Sequence, residues 1–381
     1  MFFPFFAVLL PPNFRRMKMD NDTFLEIKIL RRFRRWAIVT ALATVFLIWV
    51  GGWVRSTGSG MGCPDWPKCF GVWIPPTSEA ALPANYLELY GEQRLKKNQR
   101  VAKTLDKMGF HDLAYLIQND PSVFQHEPFN AYKTWTEYLN RLLGVLVGFF
   151  IFLTVIFSIA ARKYDKRLFW LSLFAFLGVG FEGWLGSLVV STNLMPSFIT
   201  VHMVLAMAIL VALISAATIA YIRGKPTEAV TRIEKPRALI LGGVLVCGLI
   251  LTQIIIGTQV RENVDVVKMA LGEKNHSEII SNLGSVYDTH RLFYYVVAFG
   301  VLFFAWILRG GKNKVRSFFS IAGVRFSTNL MVFALFGEIL LGISMHRLGL
   351  PPVLQPLHLL FATVLFSAAY MATSFLWFKK N

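Results

Sequence analysis

Charge is scarce in this sequence: only 16% of its 381 residues are Asp, Glu, Lys or Arg, while 55% are hydrophobic and mean hydropathy is +0.52. That balance excludes an ordinary soluble domain. The few charges are nearly missing from eight long windows, 36–54, 142–161, 168–192, 198–222, 238–260, 290–308, 327–345 and 353–378. A bilayer core of about 30 Å takes roughly 20 apolar residues per helix. Buried helices of a large soluble protein would give this pattern once or twice, not eight times. The expected fold is therefore an all-α polytopic membrane protein with eight transmembrane helices. A cleavage site is lacking as well. The opening run MFFPFFAVLLPPNFRR is too short to span, so it reads as an upstream extension of a chain starting at Met17 or Met19 rather than a signal peptide.

The net charge of +17 does not point to nucleic acid, because of where the charges lie. Most of the 39 Lys and Arg fall in alternate connections: residues 1–35, 162–167, 223–237, 309–325 and the tail Lys379-Lys380. The connection 193–197 has none. This is the positive-inside pattern, and it places both termini in the cytoplasm. The long segment 55–136 also carries basic residues, but loops of that length translocate regardless of charge.

Cysteine and histidine are few, with three and seven in all, so their positions are informative. A self-comparison organises them. Gly52-Trp53-Val54-Arg55 closing the first window matches Gly257-Thr258-Gln259-Val260-Arg261 closing the fifth. Asn140-Arg141-Leu142 opening the second matches His290-Arg291-Leu292 opening the sixth. Glu182-x3-Gly186 matches Glu338-x3-Gly342, and His202 matches His358. Four matches in one order imply two tandem four-helix bundles related by a parallel internal repeat, with the axis along the membrane normal. The expected divisions are a basic cytoplasmic segment 1–35, an N-terminal half 36–222, a cytoplasmic linker 223–237 and a C-terminal half 238–381.

Asn140, His202, His290 and His358 all lie within about two turns of the outer ends of the even-numbered helices, hence at similar depth. A lone histidine inside a membrane commonly hydrogen-bonds between helices. Two at matched depth on the sixth and eighth helices suit axial ligation of a haem iron. Zinc would want three or four ligands, and no third His or Cys is matched to this depth. Arg55, Arg141, Arg261 and Arg291 sit at the outer boundary, where guanidinium forks suit carboxylates such as haem propionates. Interfacial snorkelling is the alternative for each. Glu137 shares a helix face with Asn140, and Tyr287 stands at its place in the second half. A carboxylate there suits acid, base or polarising chemistry; a helix-end charge favoured by the dipole is the alternative. Cys63 and Cys69 have no counterpart in the second half. An outer location permits a disulfide, with a redox part or a local clamp both open. Cys247, inside the fifth helix, reads as packing.

These residues together resemble the heme A synthase family of cytochrome oxidase assembly. The resemblance rests on Thr57–Gly60, the Cys63–Gly71 segment, Glu137 ahead of Arg141, and His202, His290 and His358, and it extends over residues 36–378. It implies oxidation of a methyl group of haem O, the substrate, to the formyl group of haem A. It further implies an iron-bearing haem b in the C-terminal half, held by His290, His358, Arg261 and Arg291. The substrate haem would lie in the N-terminal half with His202, Asn140, Arg55 and Arg141. A bacterial inner-membrane location follows from it, with haem O synthase, cytochrome oxidase assembly factors and a second copy of the chain as expected partners. No residue pattern points to an electron donor. Two kinds of departure from the family stand out. Asn140 stands where the family has histidine, and Glu182 and Glu338 stand where glutamine is usual. The amphipathic stretch 72–134 identifies no role of its own; its His111 and His126 are not expected to be ligands. A di-haem electron carrier would instead pair ligands along single helices across the bilayer. A haem transporter would favour an inverted repeat with Gly/Pro-broken helices.

Overall fold

The computed structural model describes residues 21–119, 128–192, 194, 196–225, 236–271, 276–310 and 321–378. In chain order the helices are α1 (Asn21–Ser56), α2 (Tyr86–Lys107), α3 (His111–Asn119), α4 (Ala131–Ala161), α5 (Lys166–Ser191), α6 (Pro196–Arg223), α7 (Pro236–Leu271), α8 (His276–Ser281), α9 (Gly284–Leu308), α10 (Ala322–Leu348) and α11 (Leu354–Trp377). Among the described residues there is no strand, only an isolated bridge between Cys69 and Val72. Eight of the helices, α1, α4 to α7 and α9 to α11, are long and apolar enough to cross a membrane. The protein is a multi-pass, all-α membrane protein, as the apolar windows require. The expectations concerning Met17 and Met19, residues 226–235 and 311–320, Lys379-Lys380 and His126 fall outside the described residues.

Two helices run well past the apolar windows. Both α1 and α7 have 36 residues, which at about 1.5 Å per residue is about 54 Å, against a bilayer core of about 30 Å. Polar residues end membrane burial but not helical hydrogen bonding. One end of α1 therefore continues through the basic stretch Lys28–Arg35, and α7 continues past Arg261 to Leu271.

Helices α1, α4, α5 and α6 close into a ring of neighbours, and α7, α9, α10 and α11 close into another. The rings meet through α6 against α11, flanked by α1 against α11 and α6 against α7. Small hydroxyls tie these close approaches, as membrane helix contacts favour: Thr40 to Thr154 at 2.9 Å, Ser215 to Tyr370 at 2.6 Å and Thr218 to Ser374 at 3.0 Å. Large apolar side chains such as Val145, Leu245 and Phe299 point outward instead, the lipid-facing pattern.

At the end of the first ring where α1 finishes and α4 begins, the segment between them folds onto the helices. Gly62 lies against the first turn of α4; a Cβ there would meet the Lys133 carbonyl carbon and oxygen at 2.5 Å, so only glycine fits. Cys63 and Cys69 form a disulfide. Its buried cluster includes Phe70, Tyr86 and Tyr90, with the Phe70 ring edge-on to both tyrosines.

Candidate functional site

In the C-terminal ring, His290 on α9 faces His358 on α11, with ring centres 6.4 Å apart and planes at 74°. A metal held between two imidazole nitrogens at about 2 Å from each leaves ring centres on the order of 6 Å apart. Behind His358, Glu338 Oε2 of α10 lies 2.9 Å from Nδ1. A carboxylate on that nitrogen fixes the ring and leaves Nε2 for a metal. Room for the rings comes from glycine: a Cβ at Gly257 would sit 3.3 Å from His290 Cε1, and one at Gly342 would sit 3.8 Å from His358 Cε1. Gln253 Nε2 donates to the His290 carbonyl at 2.9 Å, while His290 Nδ1 is buried with no hydrogen-bond partner among the described residues. These donors fit a haem iron that takes two axial imidazoles. Among the described residues no three His, Cys, Asp or Glu gather as a closed zinc site would need.

The N-terminal ring holds half of this arrangement. Glu182 on α5 forms an ion pair with His202 Nδ1 on α6, and a Cβ at Gly186 would lie 3.8 Å from His202 Cε1. The spacing of glutamate, glycine and histidine is the same as for Glu338, Gly342 and His358. Asn140 Oδ1 is buried and lacks a hydrogen-bond partner among the described residues. Sequence reasoning registered Glu182 and Glu338 as departures without assigning them work. The signal was present, a glutamate at the same distance before the histidine in each half. Only the antiparallel packing of α5 on α6 and of α10 on α11 brings the two side chains together.

Glu137, buried, and Arg141, half-buried, lie one turn apart on α4 beneath the disulfide loop. Glu137 Oε2 accepts from the Cys63 amide at 2.7 Å, and Oε1 pairs with Arg141. Arg141 in turn donates to the carbonyls of Asp65 at 2.6 Å, Lys68 at 3.0 Å and Cys63 at 3.1 Å. Asp65 closes the loop by accepting from the Phe70 and Gly71 amides. Glu137 is thus a buried carboxylate, 3% exposed, not a helix-end charge facing water. The disulfide is equally enclosed, with Cys63 at 0% and Cys69 at 1% exposure, which withholds it from an attacking thiolate.

The four outer arginines do not form one cluster. Arg141 holds the loop. Arg291 is exposed, with its guanidinium 5.6 Å from the centre of the Tyr287 ring. Arg55 and Arg261 come together across the two rings: Arg261 Nη2 lies 2.8 Å and Arg55 Nη2 3.6 Å from the carboxylate of Asp265, and Arg261 Nη2 also donates to the Arg55 carbonyl at 3.3 Å. Arg55 Nε and Arg261 Nε and Nη1 remain buried without hydrogen-bond partners among the described residues. Such donors suit an anionic oxygen.

Residues 34–108 and 120–370 match the family described as cytochrome oxidase assembly protein, COX15-CtaA. The chain belongs to that family. Among similar proteins, the heme A synthase of Nitrosomonas eutropha is 24% identical over 88% of this chain and 90% of its own length. That of Caulobacter sp. strain K31 is 29% identical over 50% of each, and that of Shewanella oneidensis 24% identical over 50% of this chain and 46% of its own. Against the latter two, the chain spans about half the length of the relative.

The COX15-CtaA match passes over 109–119, the residues that form α3 and the turn before it. In this member of the family, α2 and α3 pack on the end of α5 and the start of α6 through Ala102, Ala114, Ile117, Leu185, Leu188 and Phe198. Lys97 Nζ donates to the Ser187 carbonyl at 2.9 Å and Asn98 Nδ2 to the Ser191 carbonyl at 2.8 Å. Burial, with the Arg141 charge nearby, pushes the Lys97 amine below its ordinary pKa. Ser187 adjoins the glycine that borders His202, so this hairpin roofs the N-terminal site. His111 is turned away, exposed and paired with Asp106 at 2.6 Å.

Proposed function

We propose that this protein is a heme A synthase, an oxidoreductase that converts a methyl group of haem O into the formyl group of haem A. The observation that carries the reading is the facing pair His290 and His358, with Glu338 behind one ring and glycines beside both. Family membership and relatives named heme A synthase agree with it.

The division of labour follows the two rings, taken as halves 36–222 and 238–381 of a parallel repeat. In the C-terminal half His290 and His358 would hold the iron of haem b, with Arg261 supplying donors to a propionate and Arg291 at the outer rim. When bound, haem b supplies one-electron transfer beside the substrate half. In the N-terminal half His202, braced by Glu182, binds the substrate haem. Arg55 offers its free Nε to a substrate propionate. Asn140 leaves the opposite side of the substrate iron without a strong ligand, because an amide oxygen is a poor one. Glu137 is the acid–base group: its carboxylate is buried, it can hold a proton, and Arg141 and the Cys63 amide fix its position. The disulfide of Cys63 and Cys69 clamps the loop that carries this amide. Water is excluded by that loop and by the α2–α3 roof.

The positive connections argue for cytoplasmic termini in a bacterial inner membrane. A disulfide between Cys63 and Cys69 suits that orientation, which would put its loop on the oxidising side. Haem O synthase and cytochrome oxidase assembly factors are the partners this chemistry calls for. The test is expression in a cell that makes haem O but no haem A, followed by extraction and chromatography of its haems. Haem A accompanied by haem B in the purified protein is the expected result. Haem O left unchanged overturns the reading.

A further inference from the structure

Arg55 and Arg261 occupy equivalent places at the outer ends of α1 and α7, yet one carboxylate serves both. Asp265 lies one turn beyond Arg261, on the stretch of α7 that projects past the apolar window. Its Oδ1 is 2.8 Å from Arg261 Nη2 and its Oδ2 is 3.6 Å from Arg55 Nη2. The corresponding step from Arg55 reaches Ser59, which is fully buried and bonded to Thr57. The first half therefore has no carboxylate of its own here. A guanidinium has five donors, and three nitrogens of this pair are buried without partners among the described residues.

We propose that Asp265 is a positioning residue that couples the two haem sites, so that an anionic propionate on one arginine alters the hold of the other. This rests on the two-haem reading above. Two guanidinium groups side by side repel; Glu262 adds negative charge near Arg55, and Asp265 is the carboxylate that reaches both. When a substrate propionate neutralises Arg55, Asp265 loses its reason to divide itself and closes fully on Arg261. Arg261 then has less positive charge to offer the C-terminal haem. The linkage is reciprocal, so a filled C-terminal site weakens the hold on substrate or product haem by the same factor. The unequal distances fit this use: the tighter pair belongs to the resident site, and the looser to the site that must release its product.

The experiment uses the full-length protein in detergent, loaded with haem O and challenged with an excess of a haem-scavenging apoprotein. Haem loss from the bis-histidine site is followed by its low-spin signal. In the wild type, filling the N-terminal site should speed this loss about fivefold relative to His202→Ala, the lower end of ordinary coupling between sites. In Asp265→Asn the same comparison should give a ratio near one, while both sites still take up haem. Arg55→Lys, which keeps charge but loses the fork, should also reduce the ratio. A ratio that stays near fivefold in Asp265→Asn, or that is already one in the wild type, overturns the coupling. Failure of the wild type to bind haem in either half would overturn the two-haem reading itself, and the coupling with it.

Discussion

Thr218 and Ser374 hydrogen-bond to each other at 3.0 Å although 156 residues separate them. The same interval separates His202 from His358. A parallel repeat would make these two residues equivalents, and equivalents touch only beside a two-fold axis. The paired contacts of α1 with α11 and α7 with α6 flank that line in the same sense. The relation is the one that the parallel repeat expected from the sequence would give. It also makes the differences between the halves meaningful, and most of the predictions turn on those differences.

Glu137 is buried against the Cys63 amide, and its counterpart in the second half, Tyr287, brings no carboxylate. If Glu137 handles a proton, Glu137→Gln should keep the bond from Cys63 and leave haem bound, while haem A formation falls about 10²–10⁴-fold. Arg141→Ala, which loosens the loop but keeps the acid, should cost less. Normal turnover in Glu137→Gln, measured by haem chromatography, would leave the carboxylate only the task of holding the loop.

Glu338 braces His358 at 2.9 Å. Glu338→Ala should lower haem retention in the C-terminal half about 10–100-fold, whereas Glu338→Gln should retain the low-spin signal. His358→Ala and His290→Ala should each abolish that signal. An unchanged optical spectrum in both histidine variants would contradict axial ligation by this pair.

Asn140 stands where the second half has His290. Haem O bound in the N-terminal half should therefore be high-spin, and Asn140→His should convert it to low-spin, read by optical and magnetic-resonance spectra. Two low-spin haems in the wild type would mean that another side chain completes the site.

Asp165, between α4 and α5, accepts from Arg167 and Arg223. Burial alone would raise its pKa, but the hydrogen bonds and charge of these arginines hold it below its ordinary 3.8. A folded value below the unfolded one adds stability above pH 3.8, and that stability is lost as pH falls through the lowered value. Asp165→Asn should cost about 1.5–3 kcal/mol at pH 7, the range for hydrogen bonds to charged groups. The gap from wild type in thermal unfolding should shrink as the pH is brought below 3.8. A gap that is constant across that range would count against the ionised pair.

The sequence alone determined the class of the protein and picked out the histidines that are candidates for its site. Eight apolar windows demanded eight spans because no unpaired backbone survives in lipid, and helices satisfy it within each segment. The depth of His202, His290 and His358 followed from counting along those spans, since an α-helix converts residue number into height. Rotation about the helix axis and the choice of neighbour did not follow, because they depend on packing between segments far apart in the chain. Only the tertiary structure decided that Glu182 and Glu338 stand behind histidines, and that Glu137 and Arg141 hold a buried disulfide loop. It likewise decided that Arg55 and Arg261, similar in sequence setting to Arg141 and Arg291, share one carboxylate while the other two do not. An arginine at a membrane boundary can reach several partners with one long side chain. Which of them it meets is settled by the helix packed beside it.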